Sequence, residues 1–192
     1  MDRILISKPY LFHTLMDISL PILARTVCGL AATTALLSGC GGVEIKAPVS
    51  WGGTNIVQAD NLYFAGQPDQ KTLEAARDAG IDIVINMRLP NELEWDEAAA
   101  VRELGVQYLS MPVSKTGPGF DSAVIESLHD IVTRNADRNI LLHCSTGNRV
   151  SAWYALYLVQ KHGLSQEEAL SIAAQTGLTR AGLVTRVEEY LR

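Results

Sequence analysis

The run Ile81-Asp82-Ile83-Val84-Ile85-Asn86-Met87 constrains the fold of this chain more than any other segment. It is apolar at nearly every position. A strand with one face in water alternates apolar and polar side chains. A near-continuous apolar run suits a strand covered on both faces, as in a parallel sheet. Parallel strands need crossover connections, usually helices.

The flanking segments supply such connections. Ile56–Gln58 and Leu62–Ala65 read as a short hairpin turning at Asp60-Asn61. Asp69 is placed to cap a helix through Leu73, Ala76 and Ala79 that Gly80 stops. Glu92–Leu104 reads as a second helix, stopped by Gly105, and Val106–Met111 as a strand ended by Pro112. Asp121 is placed to cap a helix whose apolar face holds Val124, Ile125, Leu128, Ile131 and Val132. Asn139–His143 is a strand, and helices follow over Val150–Lys161, Gln166–Gln175 and Arg180–Leu191. The alternation predicts an α/β fold over residues 56–192, with a central, mostly parallel sheet flanked by helices. Ligands of such sheets bind beyond the carboxyl ends of the strands. Arg88, Ser114 and Cys144 lie at or just past such ends.

The segment His143-Cys144-Ser145-Thr146-Gly147-Asn148-Arg149 leads from the strand Asn139–His143 into the helix after it. Backbone N–H groups of a short loop and a helix N-terminus converge on one point and suit an anion. An arginine there adds a planar fork matched to a phosphate-like group. The same positive field favours a thiolate, the nucleophilic form of cysteine. The pattern predicts Cys144 beneath a bound tetrahedral anion.

The loop resembles the H-C-x-x-G-x-x-R-S/T signature of cysteine-dependent protein tyrosine and dual-specificity phosphatases. His143, Cys144 and Gly147 fall on it, and Ser151 on its hydroxyl position. Arg149 comes one residue early, where the signature would use Val150. Leu62–Pro68 and Ile83–Arg88 resemble a bacterial subgroup, the phosphatase-like domains related to the beta-lactamase-hydrolase-like and NAD-kinase-fused phosphatases, which carries the shorter C-x-x-G-x-R spacing. The likeness runs over most of residues 55–192.

The resemblance implies a phosphatase that hydrolyses phosphate monoesters, phosphotyrosine among them, through a phosphocysteine intermediate and without a cofactor. Cys144 would be the nucleophile and Arg149 the clamp on the phosphoryl oxygens. His143 would orient the loop, and Ser151 would help the thiolate depart. Ser145, Thr146, Gly147 and Asn148 would form the phosphate loop. Taken singly, His143 fits a core histidine equally well, Ser151 a first-turn residue and Arg88 a solvated strand end. Arg88 is a candidate pocket residue, with Asn86 and Gln67 weaker ones. Related phosphatases place an acidic residue on a loop corresponding to Met111–Asp121. Here its only acid is Asp121, which a helix cap already explains. Glu92, Glu94 and Asp96 are the other acids within reach. Losing a general acid costs roughly 10²- to 10⁴-fold in rate, so substrates with good leaving groups are favoured.

The first 39 residues differ in kind. Arg25 precedes an uncharged run, Thr26–Gly39, that ends in Leu37-Ser38-Gly39-Cys40. The run is short for a membrane span, which takes about 20 residues. It has the layout of a secretory signal and resembles a bacterial lipoprotein signal with Cys40 as the lipidated residue. Met16 would give a start of ordinary signal length. The expectation is a signal peptide over 1–39, a tether over 40–55 carrying Gly41-Gly42, Pro48 and Gly52-Gly53, and a lipid-anchored periplasmic domain. Gly41 leans toward outer-membrane sorting. Of the three cysteines only Cys144 would then keep a free thiol.

Composition narrows the remaining classes. The net charge of −5 argues against a nucleic-acid partner, which wants a basic patch. The four histidines, His13, His129, His143 and His162, show no metal-ligand spacing. A phosphorylated small molecule or protein is the expected partner. The competing readings are a non-catalytic phosphate- or phosphoprotein-binding module and a rhodanese-like sulfurtransferase, whose loops also place a basic residue five after the cysteine.

Overall fold

The computed structural model describes residues 42–117 and 119–192. The signal-like segment, Cys40 and the lipidation expected of it lie outside the described residues.

Six strands form one sheet: β1 (Ile45–Trp51), β2 (Thr54–Ala59), β3 (Leu62–Ala65), β4 (Ile83–Asn86), β5 (Gln107–Ser110) and β6 (Ile140–His143). Their order is β1-β2-β3-β6-β4-β5. β3, β6, β4 and β5 run parallel, while β1 and β2 add an antiparallel edge. Among the described residues the α-helices are α1 (Gln70–Asp78), α2 (Glu97–Glu103), α3 (Ser122–Arg134), α4 (Asn148–His162), α5 (Gln166–Thr176) and α6 (Ala181–Tyr190). The expected α/β sheet is therefore present.

The central strands are buried on both sides. Ile83, Ile85, Ile140 and Leu142 pack into one core with α3, α4, α5 and α6. Val84 and Leu141, one residue out of step, pack into a second core with α1 and α2. This alternation explains the continuous apolar runs. Helix α4 runs through the larger core, and every residue from Asn148 to Leu158 is buried. From Val150 to Leu158 only Ser151 is polar among the aliphatic and aromatic side chains, which suits a helix that a core encloses.

Two expectations are corrected. Residues 45–51, read as part of a tether, form β1, and Gly52 and Gly53 are its hairpin turn, with φ of 56° and 96°. Two consecutive positive φ values are what a tight hairpin demands. The helix expected from Glu92 starts instead at Glu97. Pro90–Glu92 make one 3₁₀ turn, and the Asp96 side chain caps α2 by accepting from Ala99 N–H at 2.9 Å. The Glu92 carboxylate turns inward, to partners described below.

Candidate active site

Ala65, His143, Asn86 and Ser110 are register partners, so the four parallel strands end in one row. Whatever follows these residues shares one edge of the sheet. Loop Cys144–Gly147 leaves β6 at that edge, and α4 begins at once. The end of β3 holds the loop in place. Cys144 N–H donates to Ala65 O at 3.4 Å, and Gln67 N–H donates to Ser145 O at 3.4 Å. A Cβ on Gly66 would lie 3.4 Å from Ser145 O, in van der Waals contact with the loop. Gly147, the N-cap of α4, has φ 83°, which glycine adopts without steric cost.

The α4 N-terminus and the loop border a pocket of about 240 Å³. Cys144, Asn148 and Arg149, all buried, form its floor, and Lys115, Arg180 and Arg186 line its wall. Among the described residues no carboxylate lines it. The first amides of a helix have no acceptor within it, and the positive end of the helix dipole adds to the wall cations. The described lining is therefore positively charged. Cys144 is a free thiol that is 1% exposed.

Arg149 departs from expectation. Its Nη1 donates to Glu92 Oε1 at 3.0 Å, Met87 O at 3.1 Å and Val113 O at 2.9 Å. Its Nη2 donates to Glu92 Oε2 at 2.7 Å and Ser145 Oγ at 3.4 Å. The fork expected to grip an anion instead grips Glu92 bidentately, and it ties the ends of β4 and the segment after β5 to the loop. The hydrogen bond from Arg149 holds the Glu92 carboxyl below its usual range. Arg88 does not line the pocket. Its guanidinium donates to Gln67 Oε1 and to Glu92 O, bracing the Glu92 turn from behind.

His143 points to the other face of the sheet, as the alternation along β6 requires. Its Nε2 lies 3.0 Å from Glu97 Oε1, off the line of a formed hydrogen bond. Glu97, fully buried, also accepts from Asn86 Nδ2 at 2.7 Å, Gln67 Nε2 at 3.1 Å and Tyr108 Oη at 3.4 Å. A buried carboxylate with several donors fixes the positions of all of them. Through Gln67, whose N–H donates to Ser145 O, this cluster reaches the start of the loop.

The remaining expected residues divide. Ser145, Thr146 and Asn148 line the pocket. The Asn148 carboxamide turns toward α6, where its Oδ1 accepts from Thr179 N–H and Arg180 N–H, each at 2.8 Å. Ser151 is fully buried and its hydroxyl has no partner. It lies against Gly177 at the end of α5 and does not line the pocket. Asp121 is the α3 cap, accepting from Ala123 N–H at 2.9 Å and Val124 N–H at 3.3 Å. It lies in a neighbouring pocket of about 320 Å³ beyond the Ser114–Phe120 loop. Among the described residues there is no His, Cys, Asp and Glu grouping that could hold a metal.

Three residues of the site escaped the sequence reading. Lys115, Arg180 and Arg186 come from a loop, a helix cap and a helix far apart in the chain. For Arg186 a signal existed, since it lies three residues after Leu183 on the apolar side of α6. Its guanidinium donates to Ser114 O and Gly119 O and lies 4.5 Å from the Phe120 ring centre, pinning the loop that separates the two pockets.

No protein-family model matches the chain, and neither does any curated protein. Solved structures do. P. aeruginosa TpbA in complex with phosphotyrosine is 18% identical, with a TM-score of 0.62 over 79% of this chain and 90% of that one. Tk-PTP in its active form is 20% identical, with a TM-score of 0.57 over 67% of this chain and 88% of that one. A DUF442 protein from Shewanella putrefaciens CN-32 is 22% identical, with a TM-score of 0.53 over 76% of this chain and 93% of that one. The chain has a tyrosine/dual-specificity phosphatase-like fold. The segment Cys144–Arg149 spans the crossing from β6 into the first turn of α4.

Proposed function

We propose that the protein is a cysteine-dependent hydrolase of phosphate monoesters, held at a bacterial membrane by a lipid on Cys40. The observation that carries the catalytic part is Cys144, set at the floor of a cation-lined pocket under the N-terminus of α4. The phosphate sits against the loop amides. The Cys144 thiolate attacks phosphorus, a P–S bond forms, and the P–O bond to the leaving group breaks. Water then attacks the phosphocysteine, releasing inorganic phosphate and restoring the thiolate. The amides and wall cations stabilise the charge on the transferring group. No pocket carboxylate can protonate the leaving oxygen, so it must depart as an anion or take its proton from water. Aryl phosphates such as phosphotyrosine suit this better than alkyl phosphates. TpbA, which shares the fold, was solved with phosphotyrosine.

A second reading has its own support. With Arg149 held by Glu92 and no acid in the pocket, the same site would serve a phosphate-binding module without turnover. One experiment separates the two. The purified protein is incubated with an aryl phosphate and with thiosulfate, beside Cys144→Ser. Phosphate release by wild type alone, with a phosphorylated cysteine trapped on rapid acid quench, supports the hydrolase. Phosphate binding with no release at any pH supports the module, and thiocyanate formed from thiosulfate and cyanide would replace both readings by sulfur transfer. For the anchor, labelled palmitate should enter the protein and be lost in Cys40→Ala. An unlabelled protein with an intact leader would rule the anchor out.

A further inference from the structure

The charge around the pocket exceeds what one phosphate needs. Glu92 already offsets the Arg149 charge. Among the described residues, Lys115, Arg180 and Arg186 have no salt-bridge partner. Arg186 is 8% exposed and bonded only to neutral carbonyls, so its charge is uncompensated where solvent screens it least. A phosphate monoester carries at most about two negative charges, and the loop amides at the floor already face it. Among the described residues, three cations and no carboxylate remain on the wall.

Their placement is also fixed. The Arg180 backbone N–H is bonded at 2.8 Å to Asn148 Oδ1 of the floor helix, so its side chain leaves from a set point on the rim. Arg186 holds the loop carrying Lys115 through Ser114 O and Gly119 O. The three cations thus line the pocket that Cys144 also lines, and they come from separate, tethered elements.

We propose that the pocket takes a substrate with two phosphates, the scissile one over Cys144 and the other, on the leaving group, against Arg180, Lys115 and Arg186. This inference rests on the phosphate site proposed above and names its substrate class. A second phosphate on the leaving group meets the wall cations, whereas a neutral leaving group leaves them to water.

The test uses Cys144→Ser, which cannot turn over by this route. Its affinity for α,ω-bisphosphates of short straight-chain diols is measured by calorimetry against alkyl monophosphates of equal length. At the best spacing the bisphosphate should bind at least about tenfold tighter, the scale of one or two partly screened charge pairs. The advantage should shrink in Arg180→Ala/Lys115→Ala and at high salt. Both positions are exposed, so an unchanged melting temperature would verify that the variant folds. Equal affinities at every length, with the monophosphate bound, would overturn the second-phosphate inference alone. Absence of binding by either ligand would remove the phosphate site itself and the inference with it. A long-chain alkyl bisphosphate in phosphatidylcholine vesicles, compared with the free short one, separates the sources. Tighter binding on vesicles assigns a lipid headgroup, and equal binding assigns a water-soluble ester.

Discussion

The Arg149–Glu92 pair ties the loop after β6 to the ends of β4 and β5. Both side chains are nearly excluded from water, at 2% and 9% exposure. Breaking one half of such a pair leaves an uncompensated buried charge, at a cost of about 3 kcal/mol or more, while replacing both halves with apolar groups can be close to neutral. Glu92→Gln should therefore lose about 3 kcal/mol in urea denaturation. If the single variant unfolds at the wild-type midpoint, the pair is not holding the loop. The arginine was legible in the sequence because it sits beside the cysteine. Its partner was not, because Glu92 reaches it across the sheet edge and sequence offers no mark of that distance. His143 and Glu97 repeat the lesson. The strand end was visible, but the carboxylate behind it comes from a helix whose first residue was misplaced.

Capping decides where the elements begin. Asp69, Asp96, Asp121 and Ser165 each accept from an amide in the first turn of their helix. Asp121→Ala should cost about 1 kcal/mol in stability. It should leave the rate of aryl phosphate hydrolysis within a few-fold of wild type, since the carboxylate is committed to Ala123 and Val124. A hundredfold fall in that rate at an unchanged melting temperature would instead make Asp121 the acid, since that is the scale of a lost general acid. Strand and helix identity was legible wherever periodicity and cap agreed, as in α1 and α3. It failed in two places for local reasons. Gly52-Gly53 reads alike as a flexible joint or a hairpin turn, and only pairing with β2 decides. Glu92–Trp95 are polar enough for a first helical turn, but the pull of Arg149 on Glu92 takes the chain elsewhere.

Over the whole molecule, acid should act through His129 before it acts through the carboxylates. The ring is fully buried between Trp153 and Tyr157, its nitrogens have no partner, and burial pushes its pKa down to about 4 from 6.5. Between those values the unfolded chain binds a proton that the folded one refuses. Stability should therefore fall as pH drops from about 6.5 to about 4, by at most about 1.4 kcal/mol per pH unit. His129→Phe should flatten that stretch of the stability profile. A profile unchanged by the substitution would mean that another group is responsible. The depressed carboxyls of Glu92, Asp69 and Glu168 act in a lower window, where stability present above their ordinary range is lost as they protonate. The row of strand ends at Ala65, His143, Asn86 and Ser110 has a consequence of another kind. It divides the pocket into a foundation, made of residues the core cannot release, and a rim of exposed side chains on loops and caps. Substitution at the foundation risks the fold, whereas Lys115 and Arg180 can be exchanged at little structural cost. A lineage carrying this scaffold can therefore change what it accepts far faster than it can change what it does.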